Sequence, residues 1–212
     1  MTSPKWPEMR RSLVAILRGI RPDEILAALD ILTEAGFTAI EVPLNSPDPF
    51  RSIEQAARKA PENCLIGAGT VLTVKDVDRL NEAGGRLLVS PNVVPAIIER
   101  AGRYGMVSMP GVMTPTEGFA ALDAGASALK FFPASVIGAK GIAAIRAVLP
   151  AGTEIGAVGG VSERNFAEYA SAGIRTFGLG SSLYKPGMTP AEIGERARAA
   201  VEAYDRVYGE TT

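Results

Sequence analysis

The chain has 212 residues, 47% of them hydrophobic, a length and composition that suit one soluble α/β domain with a substantial core. Its net charge of -1 gives no reason to expect a nucleic-acid partner or an anionic membrane surface. Histidine is absent and Cys64 is the single cysteine, which excludes an internal disulfide and disfavours a zinc-dependent mechanism.

No apolar run reaches the length of a membrane span, about 18 residues, and residues 1–11 lack the apolar centre of a signal peptide. The lone cysteine suits a reducing compartment. We therefore expect a cytoplasmic protein.

Short β-rich runs recur along the chain, and each one after the first follows a helix-like segment that ends in a turn. Glycine commonly ends a helix, because it adopts the left-handed conformation without a Cβ penalty. The glycines at these turns are Gly36, Gly84, Gly105, Gly125, Gly152 and Gly173, and the segment 60–63 supplies one more turn. The predicted strands are 13–17, 38–42, 65–68, 87–90, 106–109, 128–131, 154–157 and 175–179.

Two helix starts have a recognisable cap. Thr114 and Thr189 are each followed by proline and, three residues on, by Glu117 or Glu192. This spacing predicts capping boxes with proline in the first helical turn.

Eight strand–helix units of this length favour a single (β/α)8 TIM barrel over residues 1–212, with a short N-terminal extension. The alternative is an open doubly wound sheet, which does not require every strand to be short and buried.

Catalytic groups of such a barrel project from the carboxyl ends of its strands and from the loops that follow. Polar or backbone-exposing residues occupy most of the predicted strand ends. In chain order they are Arg18, Glu41, Thr70, Pro91, Asn92, Pro110, Gly111, Lys130, Gly159, Gly160, Gly180 and Ser181.

Lys130 lies in the apolar stretch 128–133, whereas the other lysines lie in segments typical of a surface. Burial disfavours the ammonium form and lowers a lysine pKa by up to about 3–5 units, which yields a nucleophilic amine. A purely structural ion pair with a buried carboxylate, such as Glu41, is the alternative.

Glu41 ends the second predicted strand, and a carboxylate at the mouth of an apolar barrel should have a raised pKa. It is therefore the acid–base candidate, unless it only balances Arg18 or Lys130. Arg18 ends the first strand and offers a planar fork for a carboxylate or phosphate, or else forms a salt bridge at the rim.

Glycine pairs with polar neighbours follow the last two predicted strands. Gly159-Gly160 and Gly180-Ser181 stand where barrel enzymes often bind phosphate through exposed N–H groups. The segment 67–70 lacks the lysine and spacing of a P-loop, so we interpret it as a close-packed strand end that presents Thr70.

The chain resembles the bacterial 2-keto-3-deoxy-6-phosphogluconate and -phosphogalactonate aldolases over nearly its whole length. Several motifs carry the resemblance in the same order. They are Ala15-Ile16-Leu17-Arg18-Gly19, Ile40-Glu41-Val42-Pro43-Leu44-Asn45-Ser46-Pro47, Gly67-Ala68-Gly69-Thr70-Val71-Leu72, Ser90-Pro91-Asn92, Leu129-Lys130-Phe131-Phe132-Pro133 and Ala157-Val158-Gly159-Gly160-Val161.

Within that family the chain is similar to the phosphogalactonate branch. Gluconate-type members typically have Thr-Leu-Arg-Thr where this chain has residues 43–46, and Pro-Thr-Gly-Gly where it has residues 157–160. Val158 cannot make the hydrogen bond that a threonine hydroxyl offers to one epimer at C4. One such bond shifts the preference by about 0.5–1.5 kcal/mol, which gives partial discrimination.

The resemblance implies a class I aldolase that releases pyruvate and glyceraldehyde 3-phosphate, with Lys130 forming the Schiff base and Glu41 moving protons. It implies that no metal or organic cofactor is needed and that the chain forms a homotrimer. The substrate-binding residues that it implies are Arg18, Thr70 and Pro91 for the carboxylate end, Phe132 as an apolar wall, Val158 beside the C4 hydroxyl, and Gly159, Gly160, Gly180 and Ser181 for the phosphate.

The alternative within the family is an aldolase whose main substrate is the 6-phosphogluconate epimer. Two other functions fit the same barrel. A phosphosugar isomerase or epimerase would use the same phosphate loops and would not need a neutral lysine. A non-catalytic sugar-phosphate-binding protein would bind the ligand without releasing pyruvate.

Overall fold

The computed structural model describes residues 4–209. The predicted domain limits of 1 and 212 lie outside the described residues, as does part of the segment 1–11, so the single-domain boundary stays a prediction. No helix between residues 4 and 209 is long and apolar enough to cross a membrane.

Parallel strands form a barrel in which helices alternate with strands, as predicted. The strands are β1 (Leu13–Ile16), β2 (Ala39–Pro43), β3 (Leu65–Gly69), β4 (Leu87–Val89), β5 (Val107–Met109), β6 (Gly111–Val112), β7 (Leu129–Phe131), β8 (Ile155–Val158) and β9 (Thr176–Leu179). The helices are α1 (Ile25–Ala35), α2 (Pro49–Lys59), α3 (Val74–Glu82), α4 (Pro95–Arg103), α5 (Pro115–Asp123), α6 (Ala134–Arg146), α7 (Phe166–Ser171) and α8 (Pro190–Tyr208).

The strand count differs from the predicted eight because the fifth strand is divided at Pro110. Its first part, β5, pairs with β4, and its second part, β6, pairs with β7. Proline has no N–H to donate to a strand ladder, so the pairing changes partner at this residue. The two parts occupy one place in the barrel, which keeps its eightfold character.

The predicted helix ends and starts are confirmed. All six glycines at the predicted turns have positive φ, and Gly36 caps α1 in the left-handed conformation. Thr114 with Glu117 and Thr189 with Glu192 form complete capping boxes at α5 and α8.

Alternate residues of each strand face the barrel interior or the surrounding helices. In β1, Val14 belongs to the interior, whereas Leu13 and Ala15 pack with the helical layer. The interior cluster comprises Val14, Ala39, Leu87, Val89, Val107, Met109 and Ala128. Trp6 and Met9 of the N-terminal extension pack against this cluster and so cover the amino ends of the strands.

The interior cluster also fixes where the ionisable residues point. Glu41 follows Ala39 by two positions in β2, and Lys130 follows Ala128 by two positions at β7, so each faces inward one layer higher. The strand order places β2 and β7 on opposite sides of the barrel. The two side chains therefore face one another across its interior.

Candidate active site

A cavity of about 410 Å³ opens at the carboxyl ends of the strands. Asn92, Pro110 and Gly111 of the predicted strand ends do not line it. The other candidate residues do, namely Arg18, Glu41, Thr70, Pro91, Lys130, Phe132, Val158, Gly159, Gly160, Gly180 and Ser181. The lining residues that the sequence analysis missed are Ile16, Val161, Ser162, Gly178 and Ser182. Ser162 and Ser182 follow the predicted glycine loops by one or two positions, which is the signal that would have included them.

A larger cavity, of about 770 Å³, lies at the other end of the barrel between the ends of α6 and α7. It contains none of the predicted site residues, and its charged lining comprises Arg146, Glu154 and Arg175. Residues at the amino ends of barrel strands usually serve stability, so size alone does not identify the site.

Lys130 is nearly enclosed, with 7% of its surface exposed, and its Nζ lies 4.7 Å from the ring centroid of Phe132. Its pKa is lowered to about 8, chiefly by burial; the negative charge of Glu41 opposes this shift, and the positive charge of Arg18 adds to it. Within residues 4–209, no carboxylate lies within 4.0 Å of Nζ, so the structural ion pair with Glu41 does not form. A substantial fraction of the amine is therefore neutral near physiological pH.

Glu41 is 3% exposed, and its Oε2 atom has no hydrogen-bond partner in the described part of the chain. Burial raises its pKa to about 7, while the charges of Lys130 and Arg18 and a backbone hydrogen bond from Gly69 act in the opposite direction. A Cβ at position 69 would lie 2.0 Å from Oε2, so only glycine leaves room for this carboxylate. A group with this pKa can both donate and accept a proton near neutrality.

Arg18 is held at the rim by two neighbours. Its Nη1 donates to Asn45 Oδ1 at 2.5 Å, and its Nη2 lies 3.4 Å from Thr70 Oγ1. Thr70 adopts a left-handed conformation with φ of 57°, which is unusual for a β-branched residue and costs about 1–3 kcal/mol. This strained turn places the hydroxyl beside the guanidinium, at the mouth of the cavity.

Two glycine-containing loops, which follow β8 and β9, form a further part of the cavity mouth. Gly159 and Gly160 have φ of 90° and 77°, a succession that other residues rarely adopt. A Cβ at position 160 would lie 2.5 Å from the Cβ of Ser135. Position 180 has open space around it, and the adjacent Ser181 is exposed. The backbone of both loops is thus accessible to a ligand.

The arrangement combines a partly neutral amine, an acid–base group, a guanidinium and two exposed backbone loops around one cavity. An amine of this kind adds to ketones, and the guanidinium and loops bind anions. Residues 4–209 contain no group of three or more acidic, cysteine or histidine side chains that could hold a metal ion.

A family model described as "Aldolase: KDPG and KHG aldolase" matches residues 8–195. The chain belongs to this aldolase family. The aldolase is 66% identical over 203 residues to the "Probable 2-dehydro-3-deoxy-6-phosphogalactonate aldolase" of Rhizobium meliloti (strain 1021), with 96% of each chain covered. It is 47% identical over 200 residues to the "2-dehydro-3-deoxy-6-phosphogalactonate aldolase" of Escherichia coli (strain K12), covering 94% of this chain and 97% of that protein.

The aldolase also superposes on a solved structure described as "Native KDPGal structure", with a TM-score of 0.93 and 45% identity. The match covers 96% of this chain and 98% of the other. The predicted family and the predicted lyase activity are therefore confirmed, and the isomerase or epimerase interpretation is not favoured.

The opposed charges of Glu41 and Lys130 make their titrations dependent on each other. Glu41→Gln removes the negative charge that raises the Lys130 pKa, so we expect that pKa to fall below about 8. It can be measured from the rate at which acetic anhydride labels Lys130 between about pH 6 and 10. Peptide mass spectrometry quantifies the label, with the exposed Lys140 as internal reference.

The matched control is Glu54→Gln, which removes a carboxylate on the exposed surface of α2. It should leave the midpoint of the pH dependence of Lys130 labelling as it is in the unsubstituted protein. A midpoint that rises or stays unchanged in Glu41→Gln would show that the carboxylate does not act on the amine.

Proposed function

We propose that the enzyme cleaves 2-dehydro-3-deoxy-6-phosphogalactonate to pyruvate and glyceraldehyde 3-phosphate by class I chemistry. The observation that carries the proposal is the buried amine of Lys130, which has no ion-pair partner within residues 4–209 and faces Glu41 inside a cavity with anion-binding groups at its mouth. The substrate for which the two relatives are named, 2-dehydro-3-deoxy-6-phosphogalactonate, supports this choice.

In the proposed reaction, the neutral Nζ of Lys130 adds to the C2 ketone, and loss of water from the carbinolamine gives a Schiff base. The protonated imine then accepts the electron pair of the breaking C3–C4 bond, while the C4 hydroxyl loses its proton and becomes the aldehyde. The resulting enamine is protonated at C3, and water releases pyruvate and the free amine. The lowered pKa of Lys130 supports the first step, because only the unprotonated amine is nucleophilic.

Glu41 is the proposed proton carrier for carbinolamine dehydration, C–C cleavage and enamine protonation. Its pKa of about 7 matches a group that must take up and return a proton in each cycle. Its carboxylate is farther than 4.0 Å from Lys130 Nζ, which favours proton transfer through an intervening water.

The two ends of the substrate are assigned by charge and shape. We place the carboxylate at Arg18 and Thr70, near Pro91, because the guanidinium and hydroxyl are adjacent there. Phe132, whose ring lies beside Nζ, forms the proposed apolar wall near the ketone. The phosphate is assigned to the N–H groups of Gly159, Gly160, Gly180 and Ser181 and to the hydroxyl of Ser181.

The Schiff base is tested by incubation with pyruvate, reduction with borohydride and peptide mass spectrometry. We expect a reduced pyruvyl adduct on Lys130 and none on the exposed Lys140 or Lys185, because only Lys130 is buried. Lys130→Met should abolish the adduct and reduce cleavage by at least about 1000-fold. An unmodified Lys130 in the folded, unsubstituted protein would contradict class I chemistry.

The choice of epimer is assigned to Val158, which is 6% exposed and lines the cavity. Val158→Thr introduces a hydroxyl of nearly the same shape, which can bond to the C4 hydroxyl of the gluconate epimer. We expect the galactonate-to-gluconate ratio of kcat/KM to fall about 2-fold to 10-fold.

The ratio is measured with both epimers on one preparation, so a general loss of activity cancels. A ratio that stays constant would show that Val158 does not select the epimer.

Two further assignments complete the proposal. We propose that the chain forms a homotrimer, on the basis of the family resemblance and of exposed apolar side chains including Leu72, Met113 and Phe119. The mass of the particle in solution, measured by light scattering, tests this assembly. A cytoplasmic location is proposed because the lone Cys64 is a free thiol.

A further inference from the structure

The backbone after β8 has three successive carbonyl groups, each of which accepts a hydrogen bond. The carbonyl oxygen of Gly159 accepts a hydrogen bond from the Ser135 N–H at 3.0 Å. That of Gly160 accepts one from Asn165 Nδ2 at 2.9 Å, and that of Val161 accepts one from Ser182 Oγ at 3.0 Å. One helix start and two side chains therefore fix the orientation of three consecutive peptide groups.

In a planar trans peptide, the carbonyl of one residue and the N–H of the next point in opposite directions. Tying the carbonyls of Gly159 and Gly160 therefore directs the N–H groups of Gly160 and Val161 away from Ser135 and Asn165. Both residues line the cavity, and neither N–H donates to an acceptor within residues 4–209. They form two adjacent free donors at the cavity mouth.

Asn165 makes a second contact that fixes its amide orientation. Its Oδ1 accepts the N–H of Ser162 at 2.9 Å while its Nδ2 donates to Gly160. A rotation of the amide by 180° would set donor against donor and acceptor against acceptor. Asn165 itself does not line the cavity, so it affects a ligand only through this loop.

The restraint matters because Gly159 and Gly160 have no side chain to limit their conformations. If the peptide between Gly160 and Val161 turned over, a carbonyl oxygen would replace an N–H beside the bound anion. The interaction with a phosphate dianion would then change from attractive to repulsive. Asn165 opposes this by holding the carbonyl on the far side.

We propose that Asn165, assisted by Ser182, is a positioning residue that gives the enzyme its preference for phosphorylated over unphosphorylated aldehydes. The inference rests on the placement of the phosphate under the proposed function, to which it adds the Val161 N–H as a further donor. It adds that the preference is set by a side chain outside the cavity, because Asn165 orients the Val161 N–H while the Ser135 N–H orients that of Gly160.

The test measures kcat and KM for aldol addition of pyruvate to D-glyceraldehyde 3-phosphate and, separately, to D-glyceraldehyde. Asn165→Ala should lower kcat/KM for the phosphorylated aldehyde about 10-fold to 100-fold, mainly through KM. The value for D-glyceraldehyde and the yield of the borohydride-trapped pyruvyl adduct should remain within about 2-fold of the unsubstituted enzyme. A general loss of structure would lower kcat/KM for both aldehydes and the adduct yield together.

Ser182→Ala, at a residue that itself lines the cavity, removes the bond that fixes the next peptide, whose N–H from Ser162 holds the Asn165 amide. We expect a loss in the same direction, and Ser182→Thr, which keeps the hydroxyl, should restore the preference. Asn81→Ala, on the exposed face of α3, is the matched asparagine control. Equal losses with both aldehydes, or no loss in either Asn165→Ala or Ser182→Ala, would overturn the positioning role.

The unsubstituted enzyme separates this inference from the function on which it depends. If it forms the pyruvyl adduct but uses both aldehydes equally, the phosphate placement is wrong and the inference fails with it. If it prefers the phosphorylated aldehyde and Asn165→Ala retains that preference, the positioning role alone is wrong.

Discussion

The chemical properties of the cavity depend on the enclosure of two oppositely charged groups, Lys130 and Glu41, in an apolar barrel. Loss of hydration disfavours the charged form of each, and their mutual attraction offsets only part of that cost. Because they do not form a close ion pair, neither group is held permanently in one protonation state. Arg18 adds positive charge at the rim, which lowers the Lys130 pKa and stabilises the Glu41 carboxylate. One electrostatic balance thus sets the protonation of both groups.

Glycines in the strands provide the space that this enclosure needs. Glu41 pairs in register with Gly67, and Lys130 pairs with Gly111 and Gly156 on its two sides. A Cβ at position 67 would lie 1.8 Å from the carbonyl oxygen of Leu87, and one at 156 would lie 2.0 Å from Met109 Cε. Position 67 is therefore too close to the neighbouring backbone for any larger residue, and a larger residue at 156 would displace the Met109 side chain. The glycines leave this space to the long ionisable side chains.

The fold and the cavity lining were predictable because both depend on local patterns. Glycine at helix ends, threonine caps and short apolar runs fixed the strand positions, and the barrel then brought their carboxyl ends together. The roles of Asn45 and Asn165 were not predictable, because they depend on the path of a loop and on which atoms it brings within bonding distance. The division of the fifth strand at Pro110 was not predicted. A proline in the sequence does not show that the segments before and after it pair with different neighbouring strands.

The N-terminal extension has a kinetic consequence. Trp6 and Met9 cover the interior cluster, so the barrel is filled below the layer of Lys130 and the substrate approaches from the carboxyl ends of the strands. In the proposed reaction the three-carbon fragment that stays bound to Lys130 would lie deepest, and the phosphorylated fragment would lie nearer the mouth. The aldehyde must then depart before pyruvate does, and in the synthetic direction pyruvate must enter first. In the proposed reaction the covalent bond between pyruvate and Lys130 sets this order, and the covered amino end of the barrel leaves both fragments the same route, through the carboxyl ends of the strands.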